Sequence, residues 1–197
     1  MLKPIFFIIC IIFWLAPSIS SQAAYDEIRR MLQDRDDEIK ELLGPSGTEY
    51  TQEQRDQLKD IINDIIDYQA MAEFALGNTY HEISAEQQEE FVSLFATIIR
   101  DNSLNRLDIY RADVTYEEIT VNGNKAIVKT IAELENVRTP VDYNLERKGN
   151  EWMIIDMTID DVSTAESYNR QFQSIIRQRG FDALLQSLRR RAARSTT

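Results

Sequence analysis

The sequence predicts an α+β protein: helices packed on a four-stranded antiparallel sheet. Three observations carry this. Apolar residues recur at helical spacing through the first hundred residues, behind two capping boxes. Between Val114 and Val162 the period changes to two, and turn dipeptides intervene. From Thr164 onward the helical spacing returns. Helices and strands kept in separate runs along the chain are the pattern of helices laid on one sheet.

The elements follow in order. Tyr25 to Leu43 reads as an amphipathic helix, with Ile28, Met31, Leu32, Ile39 and Leu42 on one side. "GPSGTEY", 44–50, is a loop. Thr51 with Gln54 forms a capping box, and the helix behind it carries Leu58, Ile61, Ile62, Ile65 and Ile66. A third helix covers about 68–76 and stops at Gly77. Ser84 with Gln87 caps a fourth, which carries Phe91, Leu94, Phe95, Ile98 and Ile99 and runs to about Leu107. Val114–Val121 and Lys125–Leu134 flank Asn122-Gly123, the dipeptide of a two-residue type I′ hairpin. That turn pairs Ile119 with Ala126 and sets Val121 and Val128 on one face. Val141, Tyr143 and Leu145 alternate with polar residues in a third strand. "KGN", 148–150, read as a three-residue loop, sets Leu145 opposite Met153 and Tyr143 opposite Ile155 in the fourth. Helices follow over about Thr164–Arg179 and Phe181–Arg191, separated by Gly180.

The fourth strand, "EWMIIDMTIDDV", is apolar on both sides. Met153, Ile155, Met157 and Ile159 fall on one face, and Trp152 and Ile154 on the other. The second strand presents a face of small residues, Ala126, Val128, Thr130 and Ala132, toward helices that offer Phe91, Phe95 and Ile98. Small side chains there leave room for an apolar ligand. A strand buried on both sides in an ordinary core uses the same residue types, and periodicity does not separate the two readings.

Composition sets the compartment. Lys3 precedes an apolar run from Ile5 to Ala16, and Ser21-Gln22-Ala23 supplies small residues at the two positions a signal peptidase reads. Residues 1–23 therefore read as a cleavable secretory signal peptide. Ile9 before Cys10 is not the small residue of a lipoprotein signal. Residues 24–197 contain no cysteine and read as one domain stabilised by its core. Removing Lys3 leaves 21 basic against 33 acidic residues, a net charge of −12. This excludes nucleic acid as a partner on electrostatic grounds. The exception to the acidic composition is Arg189, Arg190, Arg191 and Arg194, which fit a solvated helix end or a contact with anionic headgroups or an acidic partner.

Catalytic chemistry is sparse. His81 is the one histidine, so zinc sites of the common kinds and thiol catalysis lack their residues. No glycine loop of phosphate-cradling form is present. Asp156 sits on a largely apolar strand, and Asp160 and Asp161 follow at its end; capping and turn roles are the ordinary explanation. No metal, cofactor or catalytic residue is expected.

Two stretches resemble the MlaC family, the toluene-tolerance auxiliary proteins. "DYQAMAEFALG" matches the family's segment through Asp67, Tyr68, Met71, Leu76 and Gly77, with Tyr80 where the family has tryptophan. Toward the end, Asp142-Tyr143, Trp152, Asp156, Val162-Ser163, Tyr168, Gln171-Phe172, Ile175-Ile176 and Gly180 match in order. Asp161 stands where glycine is usual, and Asn169 where an arginine often follows the tyrosine. The resemblance implies a periplasmic carrier that shuttles glycerophospholipids between the outer and inner membranes and maintains outer-membrane lipid asymmetry. It implies an inner-membrane ABC transporter complex with an MCE-domain subunit and an outer-membrane lipoprotein complex as partners. It also implies a tail-binding cavity between helices and sheet. Candidate lining residues are Met71, Phe74, Phe91, Phe95 and Ile98 from the helices. From the strands they are Ile119, Ala126, Val128, Thr130, Ala132, Tyr143 and Ile155. The alternatives are a carrier of another lipid, such as a hopanoid, and an enzyme using a buried carboxylate.

Overall fold

The structure, a computed structural model, describes residues 21–45, 49–104 and 107–195. Residues 1–20 of the expected signal peptide lie outside the described residues. The helices are α1 (Ser21–Leu43), α2 (Gln52–Asp64), α3 (Tyr68–Leu76), α4 (Thr79–Glu82) and α5 (Ala85–Leu104). A 3-10 turn, Leu107–Arg111, leads into β1 (Asp113–Asn122), β2 (Lys125–Leu134), β3 (Val137–Lys148), β4 (Glu151–Ile159) and the short β5 (Val162–Ser163). Then come α6 (Thr164–Arg179) and α7 (Phe181–Ser195). The expected capping boxes both form. Thr51 Oγ1 accepts from the Gln54 amide at 3.2 Å, and Ser84 Oγ accepts from the Gln87 amide at 3.3 Å. α5 ends three residues before the expected Leu107, and the last helix extends beyond the expected Arg191.

The sheet is an antiparallel meander in the order β1-β2-β3-β4-β5, five strands rather than the expected four. The fifth arises because Asp160 and Asp161 both adopt positive φ, 53° and 60°. The chain thereby reverses in two residues and pairs Ile159 with Val162. Glu135 and Asn136 do the same between β2 and β3, at 51° and 67°, so β3 starts at Val137 rather than near Val141.

Two hairpin registers differ from expectation. The first turn is Gly123-Asn124, with Asn122 opposite Lys125, so Val121 faces Ala126 and Ile119 faces Val128. Only Gly123 has positive φ, the pattern of a II′ turn rather than I′. A two-residue shift preserves the faces, so the small face of β2 remains as expected. The second turn is Gly149-Asn150, two residues rather than three, with Leu145 opposite Ile154.

A bulge resolves the two-faced strand. Asn144 pairs with Asp156 and Leu145 with Ile154, leaving Ile155 as the extra residue. The alternation reverses there. Trp152 and Ile154 before the bulge, and Met157 and Ile159 after it, therefore share the inner face with Leu145 and Tyr143. At the same place Ile154 exchanges backbone hydrogen bonds with the segment before α3, its N–H to Ile65 O at 2.7 Å and its C=O from Asp67 N at 2.9 Å.

The inner face of β2–β4 packs against the helices. Ala126, Val128, Leu145, Trp152 and Ile154 join Met71, Leu76, Phe91, Phe95 and Phe172 in one core. Phe91 and Phe95 stack at 5.9 Å, and Phe172 meets both edge-on. Arg147 fastens α1 to the sheet by an ion pair with Glu27 at 2.9 Å, its guanidinium 5.6 Å from the Trp152 ring.

Candidate functional site

The inner face is covered unevenly. Its half nearest the β1–β2 and β3–β4 turns is closed: Ala126, Val128 and Leu145 are buried, and α3 and α6 pack on β4. Toward the other end the cover thins. Pairing places Tyr116, Thr130, Val141, Ile159 and Val162 in one row across the sheet, and Val114, Ala132 and Thr139 in the next. Thr130 is buried, its hydroxyl donating to Val141 O at 2.7 Å. Tyr116, Ala132, Val141, Tyr143 and Met157 are half-buried, and the row runs out to Ile159 and Val162, 43% and 52% exposed. A continuous apolar surface thus leads from solvent into the core.

Tyrosines line this end. Burial pushes the Tyr143 phenol up to about 12 and raises that of Tyr116 further. Asp36 of α1 adds to both shifts, and burial lifts its own carboxyl against the pull of Lys40, 2.9 Å away.

The twelve expected lining residues separate into three groups. Ile119, Ala132 and Tyr143 lie at the half-covered inner end. Met71, Phe91, Phe95, Ile98, Ala126, Val128 and Thr130 are buried. Phe74 and Ile155 are brought to the sheet's outer side, where α3, α4 and the start of α6 flank a cleft of about 1060 Å³. Phe74 is 58% exposed there, beside Ile127, with Lys125, Lys148, Glu73, Glu146 and Glu166 around it. Ala126 also touches this cleft. Sequence reading did not single out Tyr116, Val141 or Met157; it chose Ile155 as the partner of Tyr143, and the bulge turns Ile155 away and sets Met157 in that place.

The candidate carboxylate has a structural role. Asp156 accepts from Ser163 Oγ at 2.6 Å and from the Ala165 amide at 2.9 Å, so both oxygens hold the start of α6 against β4. His81 is exposed, 3.5 Å from Glu73. Asn169 donates to Phe74 O and Ala75 O, each at 3.3 Å, and Gln173 to Leu76 O at 2.7 Å, closing the C-terminus of α3. Among the described residues no group of three or more His, Cys, Asp or Glu side chains could hold a metal ion. Among them, no helix is long and apolar enough to cross a membrane.

Comparison with known proteins gives the same family as the sequence motifs. The model of the MlaC protein family matches residues 33–190. The intermembrane phospholipid transport system binding protein MlaC of Haemophilus influenzae is 28% identical over 142 residues. That match covers 66% of this chain and 66% of the relative, just under two thirds of its length. A phospholipid-binding protein from Ralstonia solanacearum, solved in complex with a phospholipid, has the same fold. Its TM-score is 0.72 at 22% identity, over 87% of this chain and 98% of that one. On the family match, which spans most of its length, the chain belongs to the MlaC family.

Proposed function

We propose that this protein is a periplasmic carrier of glycerophospholipids, exported by its signal peptide. It shuttles lipid between an outer-membrane lipoprotein complex and an inner-membrane ABC transporter with an MCE-domain subunit, and so maintains outer-membrane lipid asymmetry. The observation that carries the reading is the half-covered inner face, where Ile119, Ala132 and Tyr143 join Tyr116, Val141 and Met157. The relative's name and the phospholipid on the structural neighbour support it.

The physics is that of shelter. Each CH₂ removed from water is worth about 0.8 kcal/mol, so free acyl chains do not cross an aqueous gap at a useful rate. Tails laid along the inner face exchange water for Tyr116, Val141, Tyr143 and Met157, while the headgroup stays wet beside Ile159 and Val162. The buried residues from Met71 to Thr130 form the closed floor of this site. No bond is made or broken, and no catalytic residue is needed. Asp156 serves the fold, which weighs against the enzyme alternative.

The test is organic extraction and mass spectrometry of the protein purified from its own host. The reading expects stoichiometric glycerophospholipid. Repeated recovery of another lipid class, such as a hopanoid, replaces the cargo; repeated recovery of none overturns the reading.

A further inference from the structure

A second opening lies away from the inner face. Between α3, α4 and α5 runs a groove of about 580 Å³, lined along α5 by Glu89, Val92, Ser93, Ala96 and Arg100 and opposite them by Tyr68. Its middle is small and apolar. Its two charges stand apart: Glu89 and Arg100 are eleven residues distant on one helix, about 16 Å at 1.5 Å per residue.

Arg100 is the unusual member. Its guanidinium lies 4.7 Å from the Tyr68 ring centroid, and its Nε is buried without a hydrogen-bond partner. No carboxylate among the described residues forms an ion pair with it. The residue itself lines the groove, so an oxyanion there meets a guanidinium charge that no described carboxylate neutralises. Tyr68 does not supply the anion. Burial pushes its phenol up to about 12, and its hydroxyl donates to Asn63 Oδ1. The ring packs against the guanidinium, and both residues line the groove.

We propose that this groove is a second ligand site, which takes a single-chain amphiphile by its oxyanion head at Arg100 and lays the chain along Val92 and Ala96. The site stands independently of the inner-face carrier reading. Phosphate and carboxylate heads share the required chemistry.

The experiment is calorimetric titration of the phospholipid-loaded protein, below micelle formation, with dodecyl phosphate, laurate and the uncharged tetraethylene glycol monododecyl ether. Dodecyl phosphate or laurate should bind about tenfold or more tightly than the ether, and whichever anion binds more tightly names the head. Arg100→Met should erase that advantage while leaving the ether's affinity and the extracted phospholipid content unchanged. Ser93→Trp, on the exposed side of α5, should block all three probes and keep phospholipid. Equal affinities for anionic and uncharged probes in the wild type overturn the proposal, as does undiminished binding of the anionic probes to either variant. If Arg100→Met does not fold, Ser93→Trp decides alone. Failure to extract phospholipid would strike the carrier reading and leave these titrations interpretable.

Discussion

Asp156 shows how a residue that looks chemical becomes structural. Its carboxylate joins β4 to the first turn of α6 through Ser163 and the Ala165 amide. Asp156→Ala leaves those buried donors unsatisfied and should cost about 1–3 kcal/mol in urea denaturation. Lipid bound per folded molecule should not change. Asp161 is the reverse case. Its φ of 60° is the left-handed region, which glycine occupies without strain. Asp161→Gly should therefore stabilise by up to about 1 kcal/mol, a rise of roughly 2–4 °C in melting temperature for a domain of this size. The tyrosines give a pH signature. Tyr68 and Tyr143 are held up to about 12 in the folded protein, against about 10 unfolded. The unfolded chain releases these protons first. Stability from this source is thus complete below pH 10 and falls as pH rises through the 10–12 window. Tyr143→Phe should flatten that fall by about 1.4 kcal/mol per pH unit. An unchanged alkaline slope would show that Tyr143 ionises as readily folded as unfolded.

At the scale of elements, the helices were the more legible part. Their signals are local: a Thr51 or Ser84 cap, an apolar stripe, a Gly77 or Gly180 stop. The strands were found, but their registers were not. The two misread registers, at Gly123-Asn124 and Gly149-Asn150, depend on where each glycine sits within its turn, while Glu135-Asn136 and Asp160-Asp161 turn at positive φ without a glycine to announce them. The bulge at Ile155 is less legible still. It is fixed by pairing to β3 and to the segment before α3, and it decides which apolar set of β4 faces the helices. The arginine-rich end of α7 also changed meaning. Leu188 and Ala192 are buried, and Arg189 pairs with Glu90 at 2.5 and 2.8 Å. Removal of the segment would therefore disturb packing as well as charge. Arg190 and Arg194 are exposed. Replacing both with glutamine should leave the melting temperature unchanged and weaken sedimentation with phosphatidylglycerol vesicles at low salt, a difference that shrinks as salt rises. Equal sedimentation at all salt concentrations would remove this end as a membrane contact.

For the molecule as a whole, the sequence located the small-residue face of β2 and the helices above it, but not how far they close on it. Packed core and lipid-lined wall use the same side chains. Only the three-dimensional cover separates Val128, wholly buried, from Ala132 two pairs along the same strand, half-covered. The central claim is that acyl chains occupy the space over that half-covered end. Ala132→Trp tests it most directly, with melting temperature and extracted phospholipid measured on the same preparations, delipidated and native. If the space belongs to lipid, the indole enters it: the delipidated variant melts with delipidated wild type and retains little phospholipid. If the space belongs to the core, the indole overpacks it at a cost of about 1–3 kcal/mol. A delipidated variant that melts well below delipidated wild type, or one that keeps a full load of phospholipid, would contradict the account.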